Sequence, residues 1–365
     1  MAEQRDTAIL VYIGTWTNDD RDGIYVYRLD PASGALDFIS KATEGDHPFF
    51  LALDARHRYL YAANAVQECD GQPGGAISAF AIDAVMGGLT RLNRQPSHGT
   101  LPCYLSLDQT GRYVFTANYS SGSVAVLPIQ ADGRLGPATA VVQHTGSSVN
   151  PQRQDSSHVH AIVPDPTNRY VVAADLGLDQ LRLYRFDATQ GVLTPHDPPW
   201  VQVAAGAGPR HIIFHPNGRY AFLINELDNT IVAYAYDAAQ GTLTELQTTS
   251  TLPAGWTDAT YSADIRVGPS GRVLYGSNRG HDSIALFLID EATGRLTPAG
   301  HAPAQGAWPW NLAIDPTAAF LLAANNHSDR VVVFRLDEQT GQLVFTGHTA
   351  DVPAPVCIAM MPRTT

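Results

Sequence analysis

Lysine is nearly missing from this sequence. Lys41 stands alone, and the other 22 of the 23 basic residues are arginines. Schiff-base or P-loop chemistry would have to use Lys41, which sits in no such motif. Cysteine is almost as scarce: Cys69, Cys103 and Cys357 lie far apart, with no CxxC pair. An odd, scattered set excludes a disulfide framework or a thiolate zinc site as the organising feature. Charged residues make up only 16% of the chain, and the net charge is −12. That balance argues against nucleic-acid backbones and anionic membranes as partners. No apolar stretch approaches 18 residues, and residues 1–7 are polar without a basic n-region. The expectation is a soluble, cytoplasmic protein. Gly-x-Ser-x-Gly, HExxH, Walker A and Gly-x-Gly-x-x-Gly motifs are absent. His158-x-His160 offers two histidines without an obvious third ligand, and Asp19-Asp20-Arg21-Asp22-Gly23 lacks the remaining spacing of a calcium loop. Neither a metal nor an organic cofactor is expected.

What the chain does have is repetition. A ten-residue step from turn entry to strand exit recurs six times, about every 50 residues. It runs from Asp54 to Asn64, Asp108 to Asn118, Asp165 to Asp175, His215 to Asn225, Gly268 to Asn278 and Asp315 to Asn325. An Asp-x3-Gly-x-Leu signature follows most copies, as at Asp187/Gly191/Leu193 and Asp237/Gly241/Leu243, with an extra copy at Asp30/Gly34/Leu36. The runs between are short, β-branched or aromatic, and bounded by turn residues. No segment carries a long 3.6-residue apolar period. Four short antiparallel strands per unit describe a propeller blade. Six units are complete. The N-terminus supplies three further strands, over 9–14, 23–29 and 35–40, and the stretch 355–361 supplies the missing inner one. The prediction is an all-β, seven-bladed propeller over residues 1–365, a single domain closed by its C-terminal strand.

In an antiparallel hairpin the start of the inner strand and the end of the second strand lie at the same end. Residues at those positions should ring one mouth of the central channel. Blades four to six place chemistry there. The fourth brings Arg153, His158 and His160 before its inner strand and Asp175 after its second. The fifth brings Arg210 and His211, then Glu226; the sixth brings Asp264, then Asn278 and Arg279. Histidine, carboxylate and guanidinium converging on one polar pocket make an acid/base pair with anion clamps. One of His158 and His160 should face the channel, and His211 should point away from Arg210 if the strand is extended. Asp175 and Asp264, like the asparagines at 64, 118, 225, 278 and 325, have an alternative role in bonding loop backbone between blades. The pocket is expected to be solvated.

The same residues carry a resemblance. Tyr12-Ile13-Gly14-Thr15-Trp16-Thr17, Arg153-Gln154 with Ser157-His158-Val159-His160, Asp175-Leu176-Gly177, Gly208-Pro209-Arg210-His211, Asn225-Glu226-Leu227 and Ser277-Asn278-Arg279-Gly280 follow in order along nearly the whole chain. The sequence resembles the seven-bladed β-propeller lactonases, whose named activity is 6-phosphogluconolactonase. That resemblance implies a hydrolase for a small-molecule sugar-acid lactone, 6-phosphogluconolactone first, acting as a monomer or weak homo-oligomer. In a branch that interconverts carboxymuconate and its lactone, a His, Arg, Glu and Arg cluster falls on the His158/His160 pair, Arg210, Glu226 and Arg279. These are the expected catalytic residues. Arg153, Asp175, His211, Asp264, Asn278 and Trp310 are the expected substrate-binding ones. Two departures bear on substrate: Ala65 stands where the family shows a glutamate, and Trp310 where it shows an arginine. A phosphate clamp is thereby lost and a stacking surface gained. Carboxymuconate lactone isomerisation and a non-catalytic binding platform are the alternatives.

Overall fold

Turn chemistry divides each repeat into strands. In the fifth repeat the strands are Pro209–Phe214, Tyr220–Asn225, Thr230–Asp237 and Thr242–Ser250, each antiparallel to the next. The outer turn is held by Asp237, whose Oδ1 accepts the Ala239 and Gln240 amides at 2.8 and 3.2 Å. Gly241 closes it at φ +71°, and a β-carbon there would meet the Tyr170 ring of the preceding blade at 2.4 Å. Glycine is thus required twice, by conformation and by inter-blade packing. The ten-residue step begins in the same way. Asp165 Oδ1 accepts the Arg169 and Tyr170 amides, both at 2.8 Å, between the first two strands of blade 4.

The computed structural model describes residues 8–17, 19–43, 46–337 and 339–363; the polar residues 1–7 lie outside them. Seven sheets of four antiparallel strands form a ring, a β-propeller. Blade 1 is composite, in the order Leu36–Ala42, Ile24–Leu29, Ile9–Thr15, Pro355–Pro362. The C-terminal strand pairs with the N-terminal one from Ile9↔Pro362 to Thr15↔Pro355, so the seam leaves no open sheet edge. Among the described residues the apolar faces of adjacent blades pack into four clusters, the broadest of which includes Tyr61, Phe80, Phe115 and Val172. Four of the five recurring asparagines donate to the loop before their blade: Asn64 to Asp46 O, Asn118 to Ser97 O, Asn278 to Thr251 O and Asn325 to Ala304 O, at 2.8–2.9 Å. Asn225 instead donates to Thr230 Oγ1.

Connections at the channel mouth are unequal. Second and third strands are joined by four residues in blades 3, 4, 5 and 7, at 119–122, 176–179, 226–229 and 326–329. Blade 1 uses 16–23 and blade 2 uses 65–75, the latter folding a small hairpin of Glu68–Cys69 with Gln72–Pro73.

Candidate active site

Every inner strand begins with a β-bulge. In blade 5 Pro209 pairs with Asn225 and His211 with Ile224, so Arg210 is the extra residue. The same irregularity isolates Phe49, Cys103, His160 and Trp310 in blades 2, 3, 4 and 7. A bulge bends the strand and re-aims one side chain out of the alternating pattern. Repeated round the ring, it turns a set of side chains into the channel mouth. A second set comes from the ends of second strands: Trp16, Tyr119 and Glu226, each the residue just after one, and Arg279, the last residue of its own. From the two sets, Trp16, Phe49, Cys103, Tyr119, His160, Glu226, Arg279 and Trp310 line a cup of about 170 Å³, with Arg210 buried behind Glu226.

Glu226 is the centre of the cup. Its Oε2 accepts Arg210 Nε at 3.0 Å and Arg279 Nη2 at 3.0 Å, and faces His160 Nε2 at 3.8 Å. Its Oε1 accepts Arg153 Nη2 at 2.5 Å, and the same nitrogen donates to the Tyr119 hydroxyl at 3.2 Å. Burial alone would raise this carboxyl, but the Arg279, Arg210 and Arg153 charges outweigh it and hold it far below the ordinary carboxylate range. Burial lowers Arg279 to about 10 despite Glu226. Burial also pushes His160 well below 6.5, with Arg210 and His211 acting in the same direction, so its imidazole is neutral. Three guanidiniums against one carboxylate leave two positive charges in excess. Such a cup receives an anion, or negative charge developing on an oxygen. The Cys103 thiol is pushed by burial up to about 12 and is no thiolate nucleophile.

Beneath the cup, His211 Nδ1 lies 2.9 Å from Asp264 Oδ1. Burial, with Arg210 nearby, lowers His211 to about 4, so the ring is neutral and its proton sits on Nδ1 facing the carboxylate. Nε2 is left to accept Arg210 Nη1 at 3.3 Å. Asp264 also takes Asn311 Nδ2, the Leu312 amide and Arg266 Nη2 at 2.7–2.9 Å. Arg210 is therefore fixed from below by His211, from the side by the Ala263 carbonyl and from above by Glu226. The expectation that His211 points outward fails because the bulge breaks the alternation: Arg210 and His211 both face the channel.

The other expected site residues divide. His160 reaches the cup. His158 does not: its Nδ1 donates to Tyr119 O at 3.0 Å and its ring stacks on Tyr119 at 4.7 Å. Asp175 is spent on Ser157 Oγ, His144 Nδ1 and the His158 amide, at 2.6–2.9 Å, tying the connection 144–158 to blade 4. Asn278 is equally occupied, by Thr251 O and Ser262 Oγ. These three hold loops in place because their side chains follow the sheet edge rather than the bulge. Asp264 lies one layer below the cup and meets Arg210 only through His211. Trp310 lines the cup, but Arg279 and Arg210 lie over its ring at 4.8 and 5.9 Å. Its face serves the guanidiniums before any substrate. The pocket is not solvated as expected: Glu226 is 4% exposed and Arg210 1%.

Sequence reasoning passed over Trp16, Phe49, Leu101, Cys103 and Tyr119, all of which line the cup. Trp16, Phe49, Cys103 and Tyr119 occupy the same hairpin positions as Arg210 and Glu226, in blades 1 to 3, which carry no charged residue there. Trp16, Phe49 and Trp310 meet edge-on, with centroids 5.0–6.1 Å apart. Leu101 and His47, each just before an inner-strand proline, hold φ of +53° and +46°, where blade 5 has Gly208 at +69°. Left-handed backbone on a non-glycine residue costs on the order of 1–3 kcal/mol and persists where the surroundings enforce it.

A model of the family described as lactonase, 7-bladed beta-propeller, matches residues 10–360. The 6-phosphogluconolactonase of Bacillus subtilis is 38% identical over 355 residues, which cover 97% of this chain and 99% of that one. The 6-phosphogluconolactonase of Formosa agariphila is 34% identical over 311 residues, 84% of this chain and 86% of that one. The solved structure of a periplasmic gluconolactonase from Pseudomonas aeruginosa superposes with a TM-score of 0.92 at 34% identity, covering 98% of this chain and 100% of that one.

Proposed function

The chain belongs to the seven-bladed β-propeller lactonase family, and from that premise we propose that it hydrolyses a sugar-acid lactone in the cup around Glu226. The observation that carries the reading is one buried carboxylate shared by Arg153, Arg210 and Arg279, with a neutral His160 beside it. Water attacks the lactone carbonyl carbon, and the charge that develops on the carbonyl oxygen is received by Arg279 on the cup wall, with the buried Arg210 charge behind it. As that oxyanion competes for the guanidiniums, the field holding Glu226 ionised weakens. Its basicity rises in the transition state, and it takes the proton from the attacking water. Collapse of the tetrahedral intermediate breaks the bond from the carbonyl carbon to the ring oxygen, which takes up, by way of His160, the proton that Glu226 removed from water, and Glu226 returns to its carboxylate form. The product is the open aldonic acid.

The names of the relatives supply two substrates to compare, 6-phosphogluconolactone and gluconolactone. Each is added fresh to the protein at mildly acidic pH, and acid release is followed against the spontaneous rate. Acceleration that Glu226→Gln lowers by about 10²–10⁴-fold is the expected result; a folded protein that accelerates neither refutes the proposal. Among the described residues no helix is long and apolar enough to cross a membrane. We place the enzyme in the cytoplasm as a monomer or weak homo-oligomer, to be tested by cell fractionation and light scattering.

A further inference from the structure

The cup does not end at its rim. A groove of about 660 Å³ continues from it over blade 2 and shares two of its wall residues, Trp16 and Leu101. Its remaining walls come from the long mouth connection of blade 2, at 65–68, from Asp46 and His47 before that blade's inner strand, and from Arg94 on its outermost strand. Insertions on one face of a repeat protein mark its binding face. The cup has room for one small ring, and the groove for more than one.

The groove's chemistry narrows the occupant. Trp16 is 39% exposed, an aromatic platform left open beside a chain that buries most of its rings. Gln67, Glu68, Asp46 and His47 supply donors and acceptors around it. Arg94 is the one cation among the lining residues, and it is already paired with Asp70 at 3.0 Å and Asp46 at 3.5 Å. A dianionic phosphate would meet carboxylates here and no unpaired guanidinium. A neutral polyol finds hydrogen-bonding partners and an aromatic face, the combination that holds a sugar ring. His47 and Leu101 keep their side chains at left-handed backbone positions where glycine would sit without strain, and both project into this groove.

We propose that the groove is a second sugar subsite and that the preferred substrate is a disaccharide aldono-1,5-lactone. The lactone ring occupies the cup and the uncharged glycosyl unit lies against Trp16. This rests on the lactonase reading and adds to it what the substrate carries beyond the lactone ring.

The test compares glucono-1,5-lactone, 6-phosphogluconolactone, cellobiono-1,5-lactone and maltobiono-1,5-lactone on the wild-type protein. The expected kcat/KM for one of the disaccharide lactones exceeds that for both monosaccharide lactones by at least about tenfold. The double variant Gln67→Ala/Glu68→Ala, checked for a wild-type melting curve, lowers the ratio of disaccharide to gluconolactone kcat/KM by about fivefold or more. Calorimetric titration with gluconate, cellobionate and maltobionate gives a measurement independent of turnover, and a disaccharide acid should bind at least about tenfold tighter than gluconate. If gluconolactone is hydrolysed but neither disaccharide lactone surpasses it, or 6-phosphogluconolactone is preferred, the subsite is refuted. If no lactone is hydrolysed, the reaction assigned above falls, and the titration alone decides the groove: equal affinities overturn it.

Discussion

Replacing Glu226 by glutamine removes one negative charge from the most heavily paired position in the molecule. The carboxylate is 4% exposed and accepts three guanidiniums at 2.5–3.0 Å. Glutamine keeps the shape but leaves three positive charges together, with Arg210 almost wholly buried. Removing one partner of a buried ion pair costs about 3–5 kcal/mol. With an unfolding entropy of about 2.1 cal/mol/K per residue over 365 residues, that lowers Tm by about 4–7 °C. Turnover falls about 10²–10⁴-fold, as for other lost acid/base groups. The sign of the pH dependence follows from the depressed carboxyl. Its stabilisation is fully present above the unfolded value of about 4.5 and is lost as pH falls toward the lower folded value. Differential scanning fluorimetry of the wild type and Glu226→Gln should show the full gap at neutral pH and a narrowing gap below about pH 4.5. Glu226→Ala with added formate separates charge from packing: a small carboxylate in the vacated cage should raise Tm and recover part of the turnover. Equal melting temperatures at neutral pH, or a gap that does not narrow in acid, would falsify the electrostatic account of this site.

Three further outcomes follow from the same geometry. With His160 held well below 6.5, His211 lowered to about 4 and Arg279 to about 10, none of these three groups changes its charge near pH 7. The pH profile of kcat/KM, corrected for spontaneous hydrolysis, should show no inflection near the ordinary histidine value of 6.5, and one there contradicts the assignment of a neutral His160. Asp264→Asn lets the His211 ring take either tautomer, so Arg210 loses its support from below; kcat should drop about tenfold or more while KM changes less, and an unchanged kcat would remove His211 and Asp264 from the positioning of Arg210. Trp310→Leu takes away the ring under Arg279 and Arg210, each contact contributing about 0.5–2 kcal/mol; a lowered Tm with a raised KM is expected, and wild-type kinetics would return the ring face to the substrate.

The amino-acid sequence by itself determined the blade count, the composite first blade and the ends of the hairpins that form the mouth. The composite first blade joins distant ends, Ile9 to Pro362, and was legible because each end lacks what the other supplies. The blade count and the hairpin ends are local: a turn aspartate, a left-handed glycine and a short apolar run recur within each repeat of about 50 residues. Arg210, Glu226 and Arg279 were legible for the same reason, since each stands at a fixed offset in its own hairpin. The burial of the cluster was not legible, because Glu226 is desolvated and charged by Arg153 from blade 4 and Arg279 from blade 6, 73 and 53 residues away. The bulges at the inner-strand starts also escaped the two-residue alternation that sequence reading assumes. They set His160 rather than His158 toward Glu226, and turned Arg210 and His211 into the channel together. Trp16 and Phe49 looked bland in a linear reading and became an aromatic wall only when the ring brought blades 1, 2 and 7 round one axis. Side-chain direction across a closed ring is set by the packing of neighbouring blades, and that information lies between repeats rather than within any one of them.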